Sequence, residues 1–343
     1  MTFSHEEENN LSLQQTYLCP IVQSGSLIAW AAGKCLVVYC KDTQKFQVDV
    51  PEDPHHNEAI RSISFKKGGD KIATAGDDKK VIIWTREGDA VETDWKPSFT
   101  YMHSKKIMTV HFDSLDNNVI FGDKFGEFFN LSSSSGEPAN LLFGHLAAVS
   151  ASLFSDKRRL LISADRDEKI RITNYPHVWN IESFLFGHRK YVCALSWFDQ
   201  DTQTRLVSAG ADGQVILWDI SNASSPRIVW SVSLGEGGPI NSLCVDETKR
   251  VVLVLRSRFP RDIIVITEEG VISDQIIQLP ESAQSIHATH DGTIMAVTLK
   301  SHLSSVGGET IRISKDVEGV PVSLMKIIHH ENFDDSSRKR PKP

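Results

Sequence analysis

The chain has 343 residues, 40% hydrophobic and 24% charged, a make-up that supports a substantial core and excludes a disordered or fibrous protein. Its 37 Lys and Arg against 44 Asp and Glu leave a formal charge of −7, the wrong sign for a chain that grips nucleic acid alone, so any such role is expected to be shared. Five cysteines, Cys19, Cys35, Cys40, Cys193 and Cys244, include no Cys-x-x-Cys pair, so reduced, buried thiols are expected rather than disulfides or a thiolate metal site.

Met1 to Asn10 is acidic and lacks the apolar core of a leader, and no apolar run reaches the roughly 18 residues needed to span a bilayer, so no membrane role is expected and the compartment reads as cytosol or nucleus. Alternating apolar segments begin at Leu27-Ile-Ala-Trp30 and Cys35-Leu-Val-Val-Tyr39. Further on, Ala75-Gly-Asp-Asp-Lys-Lys-Val-Ile-Ile-Trp84, Ala164-Asp-Arg-Asp-Glu-Lys-Ile-Arg-Ile-Thr173 and Ala209-Gly-Ala-Asp-Gly-Gln-Val-Ile-Leu-Trp218 superpose by type without gaps. Their first residues lie 89 and 45 apart, and the unit missing from the wider gap is Val119 to Asn130, with a turn at Asp123 to Gly126. A second marker keeps the same period: Gly144-His145 and Gly187-His188 each precede an alternating strand, with the two histidines 43 apart. Trp218-Asp219 is a literal WD dipeptide.

On these residues the chain resembles the WD40-repeat family, which implies an all-β fold, a seven-bladed propeller of four-stranded blades around a channel. Counting outward from the clear units gives blades at 26–50, 59–99, 101–133, 142–175, 184–230, 240–272 and 285–313. The sixth and seventh lack the turn signature, and Leu11 to Val22 is available to close the ring on the last blade. One domain is expected over 1–331. A short disordered basic tail, 332–343, ends Arg338-Lys-Arg-Pro-Lys-Pro343, a run that suits nuclear import or a solvated end equally well.

His188, Ser208 and Asp212 have the look of a base, nucleophile and orienter. In WD repeats, however, a His, a Ser or Thr, the turn Asp and the strand Trp form a buried structural relay, and His188, Ser208, Asp212 and Trp218 fill all four places. In the fourth unit His145, Ser163 and Asp167 match, with Thr173 in place of the Trp; the second unit has Asp78 and Trp84 but no Gly-His in register. No P-loop, G-x-G-x-x-G, H-E-x-x-H or G-x-S-x-G is present, and His329-His330 reads as a solvated pair. No catalytic residue, metal site or cofactor of its own is expected.

One turn departs from the repeat. Asp165, Arg166, Asp167, Glu168, Lys169 and Arg171 place six ionisable side chains in seven positions, where the repeat requires only Asp167, the counterpart of Asp78 and Asp212. Such mixed charge suits a docking surface. Arg171 stands where the fifth unit has Ile216, and a guanidinium there is expected to reach the surface or to pair with Asp165 or Asp123. With Ile181-Glu-Ser-Phe184 and Gly187-His188 following, the stretch from Ser163 to about Val192 is similar to one subfamily, the non-catalytic WD-repeat subunit of eukaryotic tRNA guanine-N7 methyltransferase.

That resemblance implies a non-enzymatic scaffold in a heterodimer, stabilising a catalytic partner that binds S-adenosylmethionine and methylates guanosine 46, with tRNA held mainly through the partner. It implies a nuclear location, with the cytoplasm also open. Lys124, Asp165, Arg166, Asp167, Glu168, Lys169 and Arg171 are the partner-binding candidates. The alternatives are a generic interaction hub, such as a ubiquitin-ligase substrate receptor, and a propeller enzyme. The hub is disfavoured because Trp218-Asp219 is followed by Ile220-Ser221, not by the Arg such receptors carry two residues after Trp-Asp, and the enzyme because no catalytic set is present.

Overall fold

The computed structural model describes residues 20–326 with interior gaps, the longest at 49–54, 88–93 and 300–307. The segments 1–19 and 327–343 lie outside it, and with them the basic tail, His329-His330 and most of the stretch proposed to close the ring. All the elements among the described residues are strands.

Six four-stranded antiparallel sheets of consecutive strands follow one another, from Ile21–Ser24 to Ile277–Gln278. They are the blades of an all-β propeller, numbered here from one to six. The expectation of seven like blades is corrected to six regular ones and an irregular last sheet. There Ser285–Ala288, Ile294–Leu299 and Gly308–Ile313 are joined by Leu324–Lys326 only after a separate two-stranded ribbon, Asp316–Val317 with Val320–Pro321.

Inner strands neighbour one another in chain order, and Ser285–Ala288 of the last sheet lies beside Ile21–Ser24 of the first. Met295 completes that junction by packing with Trp30 and Tyr39. Ile21 and Val22 pair with Trp30 and Ala29 in the first blade's own sheet, so the described end of the stretch 11–22 belongs to blade one and not to the last sheet.

Blade limits also shift from those read in the sequence. Tyr101, Leu142 and Phe184, taken as starts of the third, fourth and fifth blades, lie in Asp94–Met102, Asn140–Gly144 and Ile181–Leu185, the outer strands of the second, third and fourth. Outer strands face solvent and carry the weakest apolar pattern, while the Gly-His loop that follows is conspicuous, so reading by pattern cuts the repeat one strand early. In space each outer strand completes the sheet before it.

The core lies between blades. Third strands read apolar at consecutive positions because neighbouring sheets cover both faces, as in Val215 to Trp218, all buried. Ile162 and Ile172 of blade four meet Leu206, Ile216 and Trp218 of blade five in one cluster, each such side chain contributing about 1.5–3 kcal/mol of transfer free energy. Inner-strand serines stitch sheet to sheet: Val110 and Ile286 donate backbone N–H bonds to Ser62 Oγ (3.0 Å) and Ser242 Oγ (3.1 Å) of the preceding sheets. The strand order puts the second-to-third-strand turns and the interblade loops on one face of the ring, where the charged turn 165–169 lies.

Candidate functional site

Among the described residues, four blades carry a His–Asp pair on this face, built in two ways. In blade five Trp218 Nε1 donates to Ser208 Oγ (2.8 Å), Ser208 Oγ meets His188 Nε2 (2.8 Å), and His188 Nδ1 meets Asp212 (3.2 Å). The chain is satisfied when the imidazole is neutral, its Nδ1–H donating to the carboxylate and the serine O–H donating to Nε2. Burial pushes His188 below its ordinary value, against the opposing pull of Asp212. Ser208 is fully buried, so no substrate reaches it. Blade two repeats the arrangement through Trp84, Thr74, His56 and Asp78. His56 follows another His rather than a Gly, which is why the Gly-His criterion passed over it. His103, paired with Asp123 in blade three (3.3 Å), follows Met102 and was missed for the same reason.

In blade four His145 Nε2 meets Ser163 Oγ (2.7 Å), but Nδ1 meets Asp165 (3.1 Å), not Asp167. This corrects the assignment of Asp167 to the structural turn and of Asp165 to a free docking role. Strand register gives the reason: Val149 pairs Asp165 as Val192 pairs Gly210, so Asp165 occupies the glycine position of blade five. A Cβ at Gly210 would lie 2.4 Å from both His188 Nδ1 and Asp212 Oδ1, so a side chain at this position points at the imidazole and can supply the carboxylate itself. Asp123 does the same in blade three.

With Asp165 turned inward, Arg166, Asp167 and Glu168 are exposed, Lys169 is half-buried, and Lys124 is exposed on the turn of blade three. The turn is held at several points: Asp165 Oδ1 accepts from Asp167 N (2.9 Å), and Arg166 N donates to Ala148 O (3.1 Å).

Arg171 is buried and neither reaches the surface nor forms the expected pair with Asp165 or Asp123. Its Nε donates to Thr173 Oγ1 (2.9 Å), its Nη2 to Val178 O (3.0 Å), and the guanidinium lies 4.1 Å from the centre of the Phe143 ring. Thr173, which stands in the Trp position, therefore gives the guanidinium a partner, and Arg171 ties the third strand to the loop before the outer one. Burial lowers the pKa of His145, and the nearby Arg171 charge lowers it further while Asp165 opposes them. Asp165 thus holds the turn from within, Arg171 lies buried on the strand that follows it, and Lys124, Arg166, Asp167, Glu168 and part of Lys169 form the accessible charge. The described residues include no cluster of ligating side chains able to hold a metal ion.

Fold and site define a WD40-repeat β-propeller presenting a rigid, mixed-charge turn. Residues 138–289 match the family model described as the tRNA methyltransferase TRM82 WD40 domain, and 50–85 match the WD domain, G-beta repeat. The chain is 32% identical over 183 residues to the tRNA (guanine-N(7)-)-methyltransferase non-catalytic subunit wdr4 of Dictyostelium discoideum, covering 48% of this chain and 38% of that one. It is 29% identical over 216 residues to the Caenorhabditis elegans protein described as the same non-catalytic subunit, covering 62% and 54%. The matched stretches thus span from under two-fifths to just over half of these relatives' length. Among solved structures, the Cps50 (Swd1) β-propeller domain of Myceliophteria thermophila superposes with a TM-score of 0.70 at 12% identity, covering 83% of this chain and 95% of that one. A chain in the mitotic checkpoint complex gives 0.68 at 15%, covering 82% and 84%; both show the fold alone.

Proposed function

We propose that this chain is the non-catalytic scaffold subunit of a tRNA guanine-N7 methyltransferase, forming a heterodimer with the catalytic subunit through the face that carries turn 165–169. The observation that carries this reading is the TRM82 family match over 138–289, which contains the whole turn together with the buried Asp165 and Arg171. In this reading the partner binds S-adenosylmethionine and performs the methyl transfer at guanosine 46, and tRNA is held mainly by the partner, in keeping with the −7 charge of this chain. The nucleus is the proposed compartment, on the basic run 338–343. The last sheet is taken as a seventh blade closing the ring, supported by its inner strand lying beside that of blade one and by Met295 against Trp30.

The test is affinity purification of the tagged full chain, with mass spectrometry and a tRNA methylation assay on the product. A stoichiometric methyltransferase should co-purify and the complex should methylate tRNA, while the chain alone should show no turnover. Methyl transfer by a partner-free preparation, or capture of other proteins only, would refute the proposal.

A further inference from the structure

Around the charged turn, the same face exposes apolar side chains that the repeat does not need. Leu146 is 96% exposed and Phe125 60% exposed, and Tyr191 is also exposed. They lie on fixed turns: His145 N donates to Gly126 O (2.9 Å) on one side of Leu146, and Arg166 N to Ala148 O (3.1 Å) on the other. Phe125 is anchored by its own N–H on Asp123 Oδ1 (2.8 Å) and carries Lys105 Nζ 4.4 Å from its ring centre. Gly126 packs so closely on the loop holding Leu146 that a Cβ there would lie 2.5 Å from Ala147 O. At the far end, Tyr191 O accepts from Ala211 N (2.9 Å), fixing that loop as well.

Charge says what would cover this strip. Lys105, Lys124, Arg166, Arg189 and Lys190 are exposed on these turns, and none has a carboxylate within ion-pair distance among the described residues. Five unpaired cations on a −7 chain complement carboxylates flanking an apolar group, and Asp167 with Glu168 complement a single cation. An RNA strand fits less well: aliphatic Leu146 offers neither a flat ring for a base nor a donor for phosphate, and the two carboxylates beside Arg166 repel a phosphodiester.

We propose that the strip running from Phe125 over Leu146 to Tyr191 is the apolar centre of the docking surface, and that it receives an amphipathic, predominantly acidic segment of the methyltransferase partner. This rests on the scaffold reading above and specifies what that partner must present. The partner's apolar side chain covers Leu146, its carboxylates meet Lys105, Lys124, Arg166, Arg189 and Lys190, and one basic residue meets Asp167 and Glu168. An exposed apolar patch rimmed by charge marks an interaction site, and truncating a side chain at the centre of such a patch costs more binding than truncating one at its rim.

The experiment captures the methyltransferase identified with the wild-type full chain, using Leu146→Asp, Arg166→Glu and Lys105→Glu variants, each melted alone and assayed for tRNA affinity. Leu146→Asp should lower capture by about tenfold or more, with a melting temperature within about 2 °C of wild type because the replaced side chain is solvent-exposed. The two charge reversals should weaken capture and reduce its salt dependence. If Leu146→Asp melts early, Leu146→Ser takes its place. Undiminished capture by these variants overturns the inference while leaving the scaffold reading intact, as does retained capture with lost tRNA affinity, which would make the strip an RNA surface. A wild-type chain that captures no methyltransferase overturns the reading and the inference together.

Discussion

Asp165 shows how one side chain can exchange a structural position for another within a repeat. In blade five the relay carboxylate comes from Asp212 past Gly210; in blade four it comes from Asp165 at the glycine position itself. The sequence alignment was correct in pairing Asp167 with Asp212, but alignment by type cannot tell that a carboxylate two residues earlier points at the same imidazole. This makes three substitutions separable. Asp165→Ala should destabilise the protein by about 1–3 kcal/mol, since it leaves His145 without its acceptor and keeps a Cβ in the way. Asp165→Gly should cost less, because it recreates Ala-Gly-x-Asp and lets Asp167 enter as Asp212 does. Adding Asp167→Ala to Asp165→Gly should restore the full loss, while Asp167→Ala alone stays within about 0.5 kcal/mol. Urea unfolding of the four variants measures this; equal costs for Asp165→Ala and Asp165→Gly would show that Asp167 has no access to the relay.

The turn as an element obeys the repeat's backbone rule even where its side chains do not. Glu168 holds φ +71°, in the left-handed region, where blade five has Gly213 at +73° and blade three has Gly126 at +96°. A non-glycine residue there is disfavoured by about 1 kcal/mol or more. Glu168→Gly should therefore leave stability unchanged or raise it by about 0.5–1 kcal/mol, less the unfolded-state entropy a glycine adds. If Glu168 contacts the partner, that variant should nevertheless capture less of it. A marked loss of melting temperature would mean that the glutamate stabilises the turn by a contact of its own. The turns were legible in the sequence because Asp and Gly are needed for their geometry. The outer strands were not, since half-exposed segments such as Ile181–Leu185 carry little apolar alternation. Arg171 was legible as an anomaly at an apolar register, but its partners were not, because Val178 O and the Phe143 ring arrive from loop and neighbouring blade.

At the scale of the whole molecule, the propeller was legible because each blade repeats one pattern of turn and buried strand, whereas the junction of the last sheet with the first rests on contacts such as Met295 with Trp30, which no period in the sequence links. Assembly of the ring also encloses histidines in their neutral form. Desolvation lowers His145 and His188, and it takes His111 and His287, which are half-buried on the inner strands, down to about 4. Among the described residues His111 has a serine partner, at 2.7 Å, to offset the effect, and His287 feels the charges of His290 and Lys41, which add to it. Their folded values lie below the unfolded value near 6.5, so below that pH the unfolded chain binds more protons than the folded one, and stability must fall as pH falls. Each such histidine can remove up to about 1.4 kcal/mol per pH unit between roughly 6.5 and its folded value. The melting temperature should accordingly be flat above about pH 6.5 and drop clearly by about pH 5, before most carboxylates begin to protonate. His287→Asn, which cannot ionise, should shallow that drop without removing it, because His111 and the two relay histidines remain. Thermal melts across this range decide the matter: an unchanged melting temperature at pH 5 would mean that the channel and relay histidines are solvated enough to take up protons without loosening the ring.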